Sequence, residues 1–163
     1  MFLEIKKANW LQFCKQFNLD NQYRRVKVNI MQESIGITEI AESSMFLGLS
    51  ISKKGRRIDE MRLIVGGKNQ DVIAEPVAVV YQPFTLSVMK DETGADIQLE
   101  IVGFDGKKIS FQLEGEQTPQ FRYSLMEEFA YSAFERRGGD HGQSLEDWLE
   151  AEEQIANVEH ELA

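Results

Sequence analysis

The sequence contains a single cysteine, Cys14, so no disulfide can form within the chain. That scarcity fits a reducing compartment, because small secreted domains commonly depend on disulfides. Long apolar runs are also missing: the longest, such as residues 77–81, fall far below the roughly 18 residues that a membrane span needs. The first residues include acidic Glu4 and lead into no apolar segment of signal-peptide length. We therefore expect a cytoplasmic protein without a membrane segment.

Residue types that usually carry catalysis are scarce as well. The chain has two histidines and no Gly-x-Ser-x-Gly, P-loop or dinucleotide-binding pattern. Gly66-Gly67-Lys68 lacks the flanking residues of a phosphate loop, so a turn is favoured. For His141, a loop position is favoured over a zinc site, which needs more nitrogen or sulfur ligands. Cys14 shares an apolar face with Trp10 and Phe17, which indicates a buried structural thiol. We predict no catalytic, cofactor-binding or metal-binding residues.

Negative charge is concentrated at the C-terminal end. Residues 1–121 carry 15 Lys and Arg against 16 Asp and Glu, whereas residues 122–163 carry 3 against 11, a net charge of −8. A general nucleic-acid binder is expected to show the opposite sign. Binding to nucleic acid or to an anionic membrane surface is therefore disfavoured.

Hydrophobic periodicity predicts one helix followed by an antiparallel sheet. A helical period covers residues 7–18, where Trp10, Cys14 and Phe17 share a face. From Tyr23 onward the period becomes two, which is typical of strands with one buried face. The alternating sets are Val26/Val28/Ile30, Leu47/Leu49/Ile51, Met61/Leu63/Val65, Phe84/Leu86/Val88, Ile97/Leu99/Ile101 and Ile109/Phe111/Leu113, with Val77/Val79/Tyr81 as a seventh. The fold class is α+β: an N-terminal helix packed on an antiparallel sheet or partly open barrel of six or seven strands.

Turn residues separate these strands. Residues 53–57 and 91–94 each contain glycine between two alternating segments. Asp105-Gly106 is the strongest hairpin signal, because a type I′ turn needs positive φ at both central residues. Pro76 and Pro83 bracket a less regular stretch, which predicts a sheet edge or a crossing.

The C-terminal quarter reads as a helical hairpin after a linker. Residues 115–121 are polar and aperiodic, so we predict a β-domain at 1–114, a linker at 115–121 and an acidic helical hairpin at 122–163. Ser144 opens a second helix with a capping-box pattern. Both helices carry apolar stripes that need a partner surface.

Two places are candidate interaction sites. Lys53, Lys54, Arg56 and Arg57 surround Gly55 on a turn and could meet phosphates or an acidic surface, although solvated turn charge is the commoner explanation. Trp148 and its neighbour Leu149 lie on the second helix of the hairpin. Trp148 is either buried between the two helices or an interface anchor, since tryptophan is enriched among binding hot spots.

The C-terminal segment resembles a bacterial family of unknown function, number 2934 of the domain-of-unknown-function series. The resemblance covers roughly residues 122–156 and rests on Ala130-Tyr131, Gly139 and the run of residues 146–152. Residues 5–113 resemble family 5335 of the same series. That second resemblance rests on core and turn positions: Trp10, Phe13, Phe17, Leu47-Gly48-Leu49, Pro76, Leu99-Glu100-Ile101 and Asp105-Gly106. Neither resemblance implies an activity, cofactor or catalytic residue.

These observations favour a non-enzymatic interaction or regulatory protein that acts through an unknown protein partner or through self-association. The first alternative is a binder of nucleic acid or an anionic ligand through the basic residues at 53–57. The second alternative is an enzyme of unrecognised type, which would need a pocket with convergent polar groups.

Overall fold

The computed structural model describes residues 1–66, 74–115, 119–136, 138 and 144–162. Within these residues eight strands and three α-helices follow one another, with a short 3₁₀ turn at Lys7–Asn9. Their bounds are β1 (Phe2–Glu4), α1 (Trp10–Asn21), β2 (Arg25–Gln32), β3 (Gly36–Lys54), β4 (Arg57–Gly66), β5 (Ala74–Tyr81), β6 (Pro83–Lys90), β7 (Asp96–Gly103), β8 (Lys108–Glu114), α2 (Pro119–Arg136) and α3 (Ser144–Leu162).

The strands form one antiparallel sheet in the order β1-β6-β7-β8-β2-β3-β4-β5. The mixed class, with an N-terminal helix and an antiparallel sheet, is confirmed. The predicted count of six or seven strands is wrong because β1 has only three residues, too few to show an alternation. Strand β3 also begins at Gly36, well before the alternation at Leu47, so the hairpin that joins β2 to β3 was missed.

One core lies between α1 and the sheet. Trp10, Cys14 and Phe17 of α1 are at most 2% exposed and pack with side chains from every strand from β2 to β8. The Phe17 ring makes edge contacts with Phe46 and Phe111 at centroid distances of 5.5 and 6.0 Å. Because β4 also contacts β6, the sheet curls around this helix. The predicted burial of Cys14 is confirmed, and burial raises its pKa to about 12.

A second core joins the sheet to the two C-terminal helices. Met45 and Leu47 of β3 pack with Met126 of α2 and Ile155 of α3, together with further side chains of the same cluster.

In the described residues no helix is long and apolar enough to cross a membrane. Helix α2 begins at Pro119, inside the segment predicted as linker, because proline is well suited to the first turn of a helix.

Two β-bulges change which side chains share a face. The pairing of β3 with β4 shifts between Phe46 and Gly48, so Leu47 faces the second core while Leu49 faces the first. The pairing of β6 with β7 shifts next to Pro83, and Phe84 is 57% exposed rather than inward. A bulge adds one residue on one strand and reverses the alternation beyond it.

The hairpin at Asp105-Gly106 is present with a different turn. Gly106 has a φ of +83°, but Asp105 is not among the residues with positive φ. The amide of Gly103 donates to the carbonyl of Lys107 at 2.8 Å, which closes a three-residue loop. Such loops combine a type I turn with one left-handed glycine. Pro76 lies in β5, the last strand in the sheet order, which agrees with the sheet edge predicted for the stretch between Pro76 and Pro83.

Helix α1 continues to Asn21, three residues past its predicted end at Asn18. The side-chain nitrogen Nδ2 of Asn18 donates to the backbone carbonyls of Leu49 and Leu162 at 3.0 and 3.2 Å. Its side-chain oxygen Oδ1 accepts a hydrogen bond from the backbone N–H of Leu49 at 2.7 Å. Asparagine is unfavourable in helix interiors because its side chain competes for the hydrogen bonds of nearby backbone groups. Here these long-range partners outweigh that preference.

We expect a fragment of residues 1–114 to fold alone, because the first core consists only of residues within it. Its free energy of unfolding should fall by about 2–5 kcal/mol, since Met45 and Leu47 lose their cover. Circular dichroism and urea unfolding of the fragment and the full chain measure both quantities. A fragment that is soluble but unfolded would show that the helices are part of one folding unit.

Cys14 should resist a thiol reagent in the native chain, because it is 2% exposed beneath the end of α3. Labelling should become stoichiometric in urea and faster in the 1–114 fragment, which lacks Leu162. Mass spectrometry of the labelled protein reports the rate. Fast stoichiometric labelling of the native full chain is incompatible with a structural thiol.

Candidate functional site

Three polar side chains hold the C-terminal helices on the sheet. The Tyr23 hydroxyl donates to Oε2 of Glu159 at 2.5 Å. Arg122 of α2 donates to the same carboxylate from Nε at 3.1 Å and from Nη2 at 2.8 Å. Each side chain comes from a different element: the α1–β2 connection, α2 and α3. We call Tyr23, Arg122 and Glu159 the docking cluster.

The electrostatics of the docking cluster favour an ionised Glu159. Burial alone would raise the pKa of Glu159, but the hydrogen bonds from Arg122 and Tyr23 outweigh it and lower the pKa below its ordinary 4.5. Burial, and then the hydrogen bond to Glu159, raise the pKa of Tyr23, so its hydroxyl stays protonated and donates. The hydrogen bond to Glu159 also raises the pKa of Arg122. All three groups therefore keep the protonation states that their contacts require.

An apolar patch lies on the outer side of the docked helices. The rings of Trp148 and Tyr123 contact each other at a centroid distance of 5.0 Å, which joins α3 to α2. Trp148 is half-buried against the second core. Leu145 and Leu149 are 69% and 53% exposed, and Tyr123 is 58% exposed. Residues three or four apart on a helix share a face, so these four side chains form one surface, the aromatic patch.

Carboxylates surround the aromatic patch. Glu127 follows Tyr123 by one helical turn, and Glu152 and Glu153 follow Trp148 and Leu149 in the same way. Glu146 precedes Leu149 by one turn. All four are exposed, and we call them the acidic rim: Glu127, Glu146, Glu152 and Glu153.

The four basic residues lie at the tip of the β3–β4 hairpin. Lys54 pairs with Arg57 across the strands, which leaves Gly55 and Arg56 as the two turn residues. Gly55 has a φ of +67°, a conformation that favours glycine. Lys53, Lys54, Arg56 and Arg57, which we call the basic turn, are all exposed. Among the described residues the ion pair of this turn is Arg57 with Asp59 at 4.0 Å, and none joins it to α2 or α3.

A polar cleft of about 380 Å³ lies at the end of α1 and was not predicted. Arg24 donates to the carbonyls of Gly115 and Asp96 at 2.8 and 2.6 Å, and to the side chain of Asn21 at 2.8 Å. The Asp96 carboxylate accepts from Asn21 at 2.8 Å and from Lys90 at 2.7 Å. The polar groups in this cleft therefore form hydrogen bonds with one another. These bonds join the start of β7 and the residue after β8 to the end of α1. Burial lowers the pKa of Arg24.

The described residues contain no cluster of metal-binding side chains. Within the part of the chain that the structure describes, no three His, Cys, Asp or Glu residues are placed to hold a metal ion. His141 and the Gly67-Lys68 pair lie outside the described residues. The docking cluster and the contact of Tyr123 with Trp148 were also not predicted, because the residues in each come from elements far apart in the sequence.

Comparison with known proteins identifies only the C-terminal segment. Residues 122–157 match the model of a family described as "Protein of unknown function (DUF2934)". This match confirms the resemblance expected for that segment, and it covers well under half of the chain. No curated protein and no solved structure matches the chain. The resemblance of residues 5–113 to family 5335 stays a prediction.

Replacement of Glu159 by glutamine should weaken helix docking in a pH-dependent way. Because the folded-state pKa of Glu159 is lowered, its contribution is fully present above pH 4.5 and is lost as the pH falls through the lowered value. Above pH 4.5 we expect the wild type to exceed Glu159→Gln in unfolding free energy by about 1–2 kcal/mol. The difference should shrink in more acidic buffer. Urea unfolding across a pH series measures it, with the exposed neighbour Glu161→Gln as control. A difference independent of pH would argue against an ionised Glu159.

Proposed function

We propose that this protein is a non-enzymatic interaction protein that binds a basic protein partner through the aromatic patch. The observation that carries the proposal is the patch itself: two aromatic rings in contact at 5.0 Å and two leucines, all on one outer surface of α2 and α3. Single exposed apolar residues are normal on proteins, whereas a contiguous group marks a site of interaction.

The acidic rim indicates the chemistry of the partner. Glu127, Glu146, Glu152 and Glu153 are exposed around the patch, and the C-terminal quarter carries a net charge of −8. A partner surface with Lys or Arg around an apolar centre complements that arrangement, which accelerates encounter and rejects acidic surfaces. Trp148 and Tyr123 are residue types that often dominate binding energy.

The docked position of the helices supports the same assignment. The apolar stripes of α2 and α3 are divided: Met126 and Ile155 face the sheet, whereas Leu145 and Leu149 face outward. The docking cluster holds the helices in this orientation, so the outward side chains are presented on a rigid surface. A preorganised surface binds with a smaller loss of conformational entropy.

A second candidate function is the binding of an anionic ligand, including nucleic acid, by the basic turn. It is favoured by the exposure of Lys53, Lys54 and Arg56, for which the described part of the chain offers no ion-pair partner. The net charge of −9 opposes it, because a polyanion is repelled by the molecule as a whole.

The substitution Leu149→Lys should weaken partner binding at least about tenfold and leave the fold intact. The side chain is 53% exposed, so its effect on unfolding free energy should stay within about 0.5 kcal/mol. The matched control is Ile37→Lys, which makes the same change at a 68% exposed site on β3. Proteins that the full chain captures from native lysate are first identified and purified. Each is then titrated by calorimetry against the wild type, Leu149→Lys and Ile37→Lys.

Support requires a purified partner that binds the wild type and Ile37→Lys equally and binds Leu149→Lys at least about tenfold more weakly, which is about 1.4 kcal/mol. Equal affinity for all three forms would show that the patch is not the binding surface.

A further inference from the structure

The chain carries two exposed surfaces of opposite chemistry. One is the basic turn, with four cations at the tip of a hairpin. The other is the aromatic patch inside its acidic rim. A guanidinium or ammonium group is attracted to the face of a tryptophan or tyrosine ring, and it forms strong hydrogen bonds with carboxylates. The basic turn is therefore the kind of surface that the patch is built to receive.

The two surfaces of one chain lie toward different ends of α3. Leu162, near the end of α3, packs at Gly48, and the end of α3 shares a small cleft with Ser50 and Ile51 of β3. The basic turn lies just beyond that point on β3. Trp148 lies about 21 Å from Leu162 along α3, at the rise of a helix. The patch and the turn are thus at opposite ends of the docked helix.

We infer that the partner of the aromatic patch is the basic turn of a second copy of this chain. This inference rests on the proposed function and names its partner. If two copies are related by a two-fold axis, each turn meets the patch of the other copy, and the contact closes into a dimer. The C-terminal charge of −8 would otherwise keep two copies apart, so this contact is also the one that electrostatics permits.

Salt dependence and charge reversal test the inference on the full chain. Sedimentation equilibrium of the wild type should show a dimer at low salt that weakens at high salt, because exposed charges are screened. Lys54→Glu with Arg56→Glu, and separately Glu127→Lys with Glu152→Lys, should each weaken self-association at least tenfold. An equimolar mixture of the two double variants should form a heterodimer. In it the acidic turn of one variant meets the basic rim of the other, and the two unchanged surfaces meet each other.

The matched control is Lys6→Glu with Lys15→Glu, the same change at two exposed lysines elsewhere, which should leave the dimer unchanged. A monomeric wild type at every salt concentration overturns the inference, and so does a mixture that stays monomeric or a control that weakens equally. If the turn variant loses retention on heparin while the mass in solution is unchanged, the turn serves an anion instead. Patch-dependent binding of a different protein, with a monomeric wild type, would leave the proposed function standing and remove only this inference.

Discussion

The burial of β3 on both faces between Met45 and Leu49 holds the described parts of the molecule together. Phe46 and Leu49 point into the core around α1, while Met45 and Leu47 point into the core beneath α2 and α3. A bulge at Gly48 makes this division within a few residues. A Cβ atom at Gly48 would lie 2.8 Å from Leu162, so the absence of a side chain there lets the last turn of α3 approach the strand. Any change in this segment alters two cores at once, and neither face can relax independently.

Hydrophobic periodicity along the sequence predicted most of the strands and the α-helices. The two-residue period identified most strands because each has one face toward α1, and the helical stripes identified α1, α2 and α3. The rest depends on contacts between distant residues. Bulges at Gly48 and next to Pro83 reverse an alternation without a marked change in composition, and the extension of α1 depends on partners of Asn18 as far away as Leu162.

The candidate sites divide in the same way. The basic turn could be found in the sequence because a hairpin tip with four cations is a continuous segment, and Trp148 with Leu149 could be found because tryptophan is rare and distinctive. Tyr123 could not be assigned to the patch, since its contact with Trp148 depends on how α2 lies against α3. The docking cluster and the polar cleft each combine three or more elements, and charge pairs of this kind leave no spacing that a single sequence can show.

Tyr23 combines two demands that oppose each other. Its backbone has a φ of +73°, a conformation that costs a bulky residue about 1–2 kcal/mol and that glycine or asparagine adopts readily. Its hydroxyl binds Glu159. The backbone of the α1–β2 connection therefore favours glycine or asparagine at this position, whereas the contacts with the C-terminal helices favour tyrosine. In evolutionary terms the residue at this position reports the domain content of a chain: glycine or asparagine is expected where a related sheet occurs without the helices, and tyrosine where both occur together.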